Sequence, residues 1–188
     1  MKKSLLLLIL IASIYTLQAQ EGELKEAFDY LNEVRSNPSQ YSKEISVNLS
    51  DIEPRPALVW NDTLAEVAYE KAKDMATNNY FSHTDKEGNG INIKIYNAGY
   101  KIPVEWTTPA SSNYFESISA GNSTPKQAII NLINDNSEKK HEKAGHRMHL
   151  LGITDFYDNL VDIGIGFYYD PNGQYKYYVS VIIAKHNF

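Results

Sequence analysis

Residues 161–183 read Val-Asp-Ile-Gly-Ile-Gly-Phe-Tyr-Tyr-Asp-Pro-Asn-Gly-Gln-Tyr-Lys-Tyr-Tyr-Val-Ser-Val-Ile-Ile, and they decide the fold class. Val161, Ile163, Ile165, Phe167 and Tyr169 alternate with Asp162, Gly164, Gly166 and Tyr168. Tyr175, Tyr177, Val179, Val181 and Ile183 repeat the alternation, and Asp170-Pro171-Asn172-Gly173 between the runs is a turn sequence. A period of two places every second side chain on the same sheet face. The segment therefore reads as a hairpin with one strongly apolar face.

Upstream of the hairpin the periodic stretches are helical. Leu24, Ala27, Phe28, Leu31 and Val34 share one helical face, and Asn37-Pro38 ends that helix. Leu64, Val67, Ala68, Lys71, Ala72 and Met75 line a second helix, with Thr63 and Glu66 at capping-box spacing. Residues 91–98 form a short helix stopped by Gly99. Thr124-Pro125-Lys126-Gln127 opens another helix, whose buried side is Ala128, Ile129, Leu132 and Ile133. Residues 38–57 read as a polar connector, Leu58-Val59-Trp60 as a short buried lead-in, and residues 135–147 as a polar, exposed stretch. Helices first and paired strands last give an α+β class, not a parallel doubly wound one.

The 188 residues suit one domain, and no repeat is present. Lys2 and Lys3 precede the apolar run Leu5 to Ile14, and Ala19 supplies a small residue for cleavage. This is the layout of a secretory signal peptide over 1–19, too short to span a bilayer, leaving 20–188 as the mature domain. No later segment is apolar enough to cross a membrane, so a secreted or periplasmic protein is expected. The formal charge of −5 argues against nucleic-acid binding. Zero cysteines exclude disulfides, thiolate metal sites and a Cys nucleophile. A cysteine-free exported chain leans towards a bacterial origin. Fourteen tyrosines are compatible with a ligand-facing aromatic surface or with a core.

Five histidines stand at 83, 141, 146, 149 and 186. Imidazole is the commonest protein metal ligand, and His146 and His149 would share a helical face. No HExxH, GxSxG or Gly-rich phosphate loop occurs. Glu116 lies in an apolar or small run, Tyr114-Phe115-Glu116-Ser117-Ile118, where a carboxylate is costly to bury without a partner. Asp135 ends a helix, where an acid opposes the macrodipole and calls for something else to hold it.

Read in order, these pieces resemble the CAP superfamily, the SCP-like group of cysteine-rich secretory proteins, antigen 5 and pathogenesis-related proteins. Leu31-Asn32-Glu33-Val34-Arg35 resembles its first-helix Asn-x-x-Arg signature, and Leu58-Val59-Trp60-Asn61 its second-helix entry. Phe81-Ser82-His83 resembles the first-histidine motif, Ala98-Gly99-Tyr100 the Ala-Gly-Tyr turn, and Gly145-His146-Arg147 the second-histidine motif. Glu116 matches the glutamate of Gly-Glu-Asn, and Asp162-Ile163-Gly164-Ile165-Gly166 resembles the Gly-x-Gly strand. The resemblance runs from about Leu24 to Ala184.

The resemblance implies a three-layer α-β-α sandwich with a central antiparallel sheet. It also implies a cleft that uses His83, Glu116 and His146, with Asp135 in the place of a second acid and Leu132 at the usual Trp position. Phe115 and Ser117 replace the Gly and Asn around Glu116, and His149 replaces an Asn after Gly-His-Arg. Two readings follow. The first is a binding module for a small molecule, lipid or protein, with His83 and His146 suited to zinc or another divalent cation. The second is a metal-assisted, peptidase-like hydrolase, in which His83 and His146 hold the ion and Glu116 and Asp135 are the catalytic carboxylates, with Glu116 as base. Whether His141 or His149 joins the cleft is open at this stage.

Overall fold

The computed structural model describes residues 20–186, so the expected leader at 1–19 lies outside the described residues. Helix α1 occupies 20–36 and buries Ala27, Tyr30, Leu31 and Val34. A 3-10 turn, Pro38–Tyr41, and α2, Ser42–Ile45, follow. Strand β1 is Val59–Trp60, α3 Asp62–Thr77, α4 Ile91–Asn97 and β2 Glu116–Ala120. Next come α5, Pro125–Asn134, α6, Gly145–Leu151, and α7, Asp155–Asp158. The predicted hairpin is β3, Asp162–Tyr169, paired antiparallel with β4, Tyr177–Ala184.

The sheet order is β1-β3-β4-β2. Only the two-residue β1 runs parallel to its neighbour β3; the β2–β4 and β3–β4 pairs are antiparallel. One face carries Ile163, Ile165, Phe167, Val179, Val181 and Ile183, which join the main core with residues of α1, α5 and α6. The other face carries Gly164, Gly166, Ile182 and Glu116 and lies under α3. Helices on both faces of a mainly antiparallel sheet make the expected α-β-α layering.

The hairpin has no solvent face: β3 is buried from Asp162 to Phe167. The glycines explain the second buried face. A Cβ on Gly164 would lie 2.2 Å from Leu64 C and Ala65 N, and one on Gly166 2.1 Å from Ala68 C and Tyr69 N. The backbone of α3 rests directly on β3, and only glycine leaves room for it.

Three local expectations are corrected. Helix α3 is capped by Asn61, whose side chain accepts from the Leu64 amide at 3.1 Å, and the Thr63/Glu66 box is not used. The Asn61 amide donates to Ile163 O at 2.9 Å, which fixes the chain one residue before the helix and makes Asn61 the cap. The 38–57 connector is not merely polar, since Ile45, Val47, Leu49 and Ile52 are in the core. Burial of this irregular backbone is possible because Asn134 Nδ2 donates to Ile45 O and the Leu49 amide donates to Ser42 Oγ. Within 135–147, Ala144 and Arg147 are fully buried.

We expect Gly166→Ala to lower unfolding free energy by about 3 kcal/mol or more, because α3 must shift as a rigid body. Gly22→Ala, at a helical position with nothing within 4 Å of the added Cβ, should leave stability unchanged or slightly raised. Urea denaturation of the two variants checks the contrast; equal midpoints would contradict the close approach.

Candidate functional site

Two carboxylate–histidine pairs form near the β2 edge of the sheet. Glu116 begins β2 on the face under α3, with its side chain fully inaccessible. Its Oε1 accepts from Ser180 Oγ at 2.8 Å on the second-next strand position of β4, and its Oε2 meets His83 Nδ1 at 3.0 Å. His83 lies in the loop after α3 and keeps its side chain 40% exposed. The buried acid thus holds the inner nitrogen of an imidazole whose other edge faces outward.

Lys71 supports this pair, and its importance was hidden in the sequence among the apolar residues of α3. It is 2% exposed. Its Nζ donates to Ser82 O at 2.7 Å and Tyr80 Oη at 3.2 Å, and it sits 4.8 Å from the Tyr80 ring centre. Tyr80 in turn donates to Asp74. Desolvation lowers the Lys71 pKa, and Glu116 is the leading charge that opposes the fall. Lys71 therefore ties down the loop that carries His83 while its charge faces the buried Glu116.

The second pair joins α5 to α6. Asp135, at the end of α5, has φ +48°, a left-handed conformation that Asp tolerates better than most residues. Its Oδ2 accepts from the His146 amide at 3.0 Å and its Oδ1 meets His146 Nδ1 at 2.9 Å. The acid that opposes its own helix dipole is held by the first turn of the next helix. The shorter Asp reaches because α6 starts so close to it. Arg147 fixes that closeness: its guanidinium donates to Ile133 O at 2.7 Å, and to Asn134 O and Glu138 O at 2.8 Å each. The Ile133 and Asn134 carbonyls are the loose end of α5, so Arg147 works as a C-terminal cap built from another helix, and the Glu138 carbonyl ties down the turn that follows.

His141 takes no part in either pair. It bridges Asp51 at 3.1 Å and Arg147 at 3.1 Å. His149 lies on the opposite sheet face from Glu116, 3% exposed, with Nδ1 at 2.8 Å from Ser117 Oγ. Burial lowers its pKa to about 3, despite the nearby Ile183 carbonyl, while Nε2 has no hydrogen-bond partner among the described residues. His146 and His83 both lie near enough to His149 to add to that lowering. Through Glu116 and Ser117, adjacent on β2, and His146 and His149, one turn apart on α6, the two pairs sit at the same end of the sheet. Among the described residues they do not merge into a cluster of three or more metal-ligating side chains.

The sequence matches the cysteine-rich secretory protein family, CAP, over residues 28–183. This chain belongs to the CAP family. Solved structures with the same fold include an extracellular SCP-domain protein from Bacillus anthracis, at 23% identity and TM-score 0.57 over 88% of this chain. This chain spans 41% of that protein's length. An outer surface protein from Borrelia burgdorferi matches at 18% identity and TM-score 0.56, covering 89% of this chain and 96% of the other. Venom allergen-like protein 4 from Schistosoma mansoni matches at 13% identity and TM-score 0.51, covering 88% and 90%. No curated protein matches the chain.

Within the CAP pattern, two departures are partners. Ser117 and His149 each stand where the family carries Asn, and here they bond to each other across the sheet–helix interface. Other motif residues prove architectural. Asn32 brackets Leu58 by accepting from its amide at 2.7 Å and donating to its carbonyl at 3.2 Å. Arg35 donates to Leu150 O at 2.8 Å.

Glu116→Gln should lower stability by about 2–4 kcal/mol, because Lys71 is left buried without its facing carboxylate. Adding Lys71→Met should recover part of that loss, and a double-mutant cycle showing no coupling would separate the two residues. His149 is neutral when folded and titrates near its ordinary value when unfolded. Below about pH 6.5 the unfolded chain gains a proton that the native chain refuses down to about pH 3, so stability falls across that window. His149→Gln should flatten this acid limb in pH-dependent thermal melts.

Proposed function

We propose that this CAP protein is a secreted binding module whose ligand end is built by His83 and His146. The observation that carries the reading is the use of both carboxylates. Glu116 and Asp135 each hold an imidazole through Nδ1, which fixes ring orientation and leaves Nε2 as the outward nitrogen. Secretion is supported by the leader-like 1–19 segment and by the extracellular and outer-surface proteins among its structural neighbours. Among the described residues no helix is long and apolar enough to cross a membrane.

The donor set fits a divalent cation through two neutral imidazoles, so His83 and His146 are the residues that would hold zinc. Bound there, zinc would supply a Lewis acid with positions open to an external ligand. The contribution of the chain is orientation: Glu116, backed by Ser180 and Lys71, aims His83, and Asp135, backed by Arg147, aims His146. Hydrolysis is less well supported by these contacts. Both Glu116 oxygens are occupied and its side chain is inaccessible, which suits an orienting role better than that of a base acting on water. No hydroxyl among the described residues bonds to His83 or His146. Ser82 Oγ pairs with Thr84, and Ser117 Oγ is buried on His149.

Zinc titration by calorimetry into the metal-free mature chain should show one site, in the micromolar range or weaker, given two protein ligands. The double variant His83→Ala/His146→Ala should lose the binding while keeping its melting temperature within a few degrees. Binding that survives the double variant would sink the assignment. Histidine NMR should place the metal on Nε2 of both rings.

A further inference from the structure

Among the described residues, strand β2 is the last strand of the sheet and pairs only with β4. Its register decides which backbone groups remain for another chain. The Ile183 amide donates to Phe115 O at 2.9 Å and the Gly121 amide to Tyr177 O at 2.9 Å. Hydrogen-bonded pairs of an antiparallel ladder recur every second residue. Residues 115, 117, 119 and 121 therefore bond to β4, and Glu116, Ile118 and Ala120 turn their amides and carbonyls outward.

The protein already fills the first of these positions. Asn113 Oδ1 accepts from the Glu116 amide at 3.0 Å, and Asn113 Nδ2 donates to Glu116 O at 3.3 Å. A side-chain amide stands there as the backbone amide of a neighbouring strand would. The next two positions, Ile118 and Ala120, have no such plug among the described residues.

We propose that the outer edge of β2 binds one extended peptide segment as an additional strand, continuing from Asn113 past Ile118 and Ala120. Backbone complementarity identifies the partner class, since alternating donors and acceptors at strand spacing are matched by an extended polypeptide. Ile118 is 6% exposed and Ser119 8%, so their side chains are covered on the two sheet faces and the outward backbone groups are what the edge offers a partner. His83 reaches the Glu116 end of this strand through its bond to the Glu116 carboxylate. At the Ala120 end, Phe81 and Tyr175 are 43% and 40% exposed with ring centres 5.7 Å apart, and Tyr175 packs on Tyr178, the β4 partner of Ala120. An apolar or aromatic side chain of the peptide rests on this pair. The inference deepens the binding-module reading of the same end of the sheet, yet uses backbone groups and not the imidazoles.

The test is NMR amide exchange on the full mature chain, with capped heptapeptides of alternating Thr and Val that carry Phe, Leu, Lys or Glu at the centre. In the free protein Ile118 and Ala120 should exchange at least about 100-fold faster than Ser117 and Ser119, because only the latter pair lies in the ladder. The Phe and Leu peptides should slow Ile118 and Ala120 by about tenfold or more at saturation. Ala120→Pro removes an outward N–H without breaking the β4 ladder and should abolish the protection. Should that variant fail to fold, peptides N-methylated at alternate residues replace it, and they should lose protection in one methylation phase only. The His83→Ala/His146→Ala protein should lose zinc and keep the peptide effect, which separates the two claims. The proposal is overturned if no peptide of the panel protects Ile118 and Ala120 at millimolar concentration. It is equally overturned if those amides are already as protected as Ser117, or if both methylation phases bind alike.

Discussion

The seating of α3 on Gly164 and Gly166 is the constraint on which the rest depends. A side chain at either position would collide with helix backbone, which cannot yield as a flexible side chain would. With the helix this close, the loop leaving its C-terminal end comes down beside β2, and His83 meets Glu116. The same closeness buries Lys71 against the sheet, where its hydrogen bonds to Ser82 and Tyr80 keep the loop in place. Backbone packing, helix position and imidazole orientation are thus links of one chain of cause.

On the other face the controlling residue is Arg147. A guanidinium with no carboxylate at salt-bridge distance among the described residues sits fully buried because three carbonyls accept from it, and desolvation lowers its pKa. Those carbonyls include the end of α5, so Arg147 brings α6 against α5 and sets His146 over Asp135. The two halves of the candidate site therefore rest on buried cations, Lys71 below the sheet and Arg147 above it. Lys71 falls on the apolar face of its helix in sequence, whereas Arg147 falls in a stretch that reads as exposed, and both are buried.

Ser117 and His149 illustrate how a motif can change and the fold persist. A buried imidazole needs a neutral state and a hydrogen-bond partner. Burial supplies the first, Ser117 the second. Read singly, each residue looks like an erosion of the family pattern; together they form one hydrogen bond, at His149 Nδ1.

Much of the architecture was legible in the sequence because it rests on periodicity. The alternation at 161–183 dictated a hairpin, and the 3.6-residue spacing of Leu64, Ala68, Ala72 and Met75 dictated a buried helix face. Thr124-Pro125 marked a helix start that the structure uses, with the Gln127 amide donating to Thr124 Oγ1. His83, Glu116, His146 and Asp135 could be named from short motifs. Their pairing could not, because each partner lies eleven or thirty-three residues away and meets the other through helix and strand placement. The burial of Ile45, Val47, Leu49 and Ile52, the cap at Asn61 and the roles of Lys71 and Arg147 were also decided by tertiary structure. Local pattern records which residue types favour a conformation. Which polar groups end up buried together depends on distant segments closing over them, and no window of sequence carries that information.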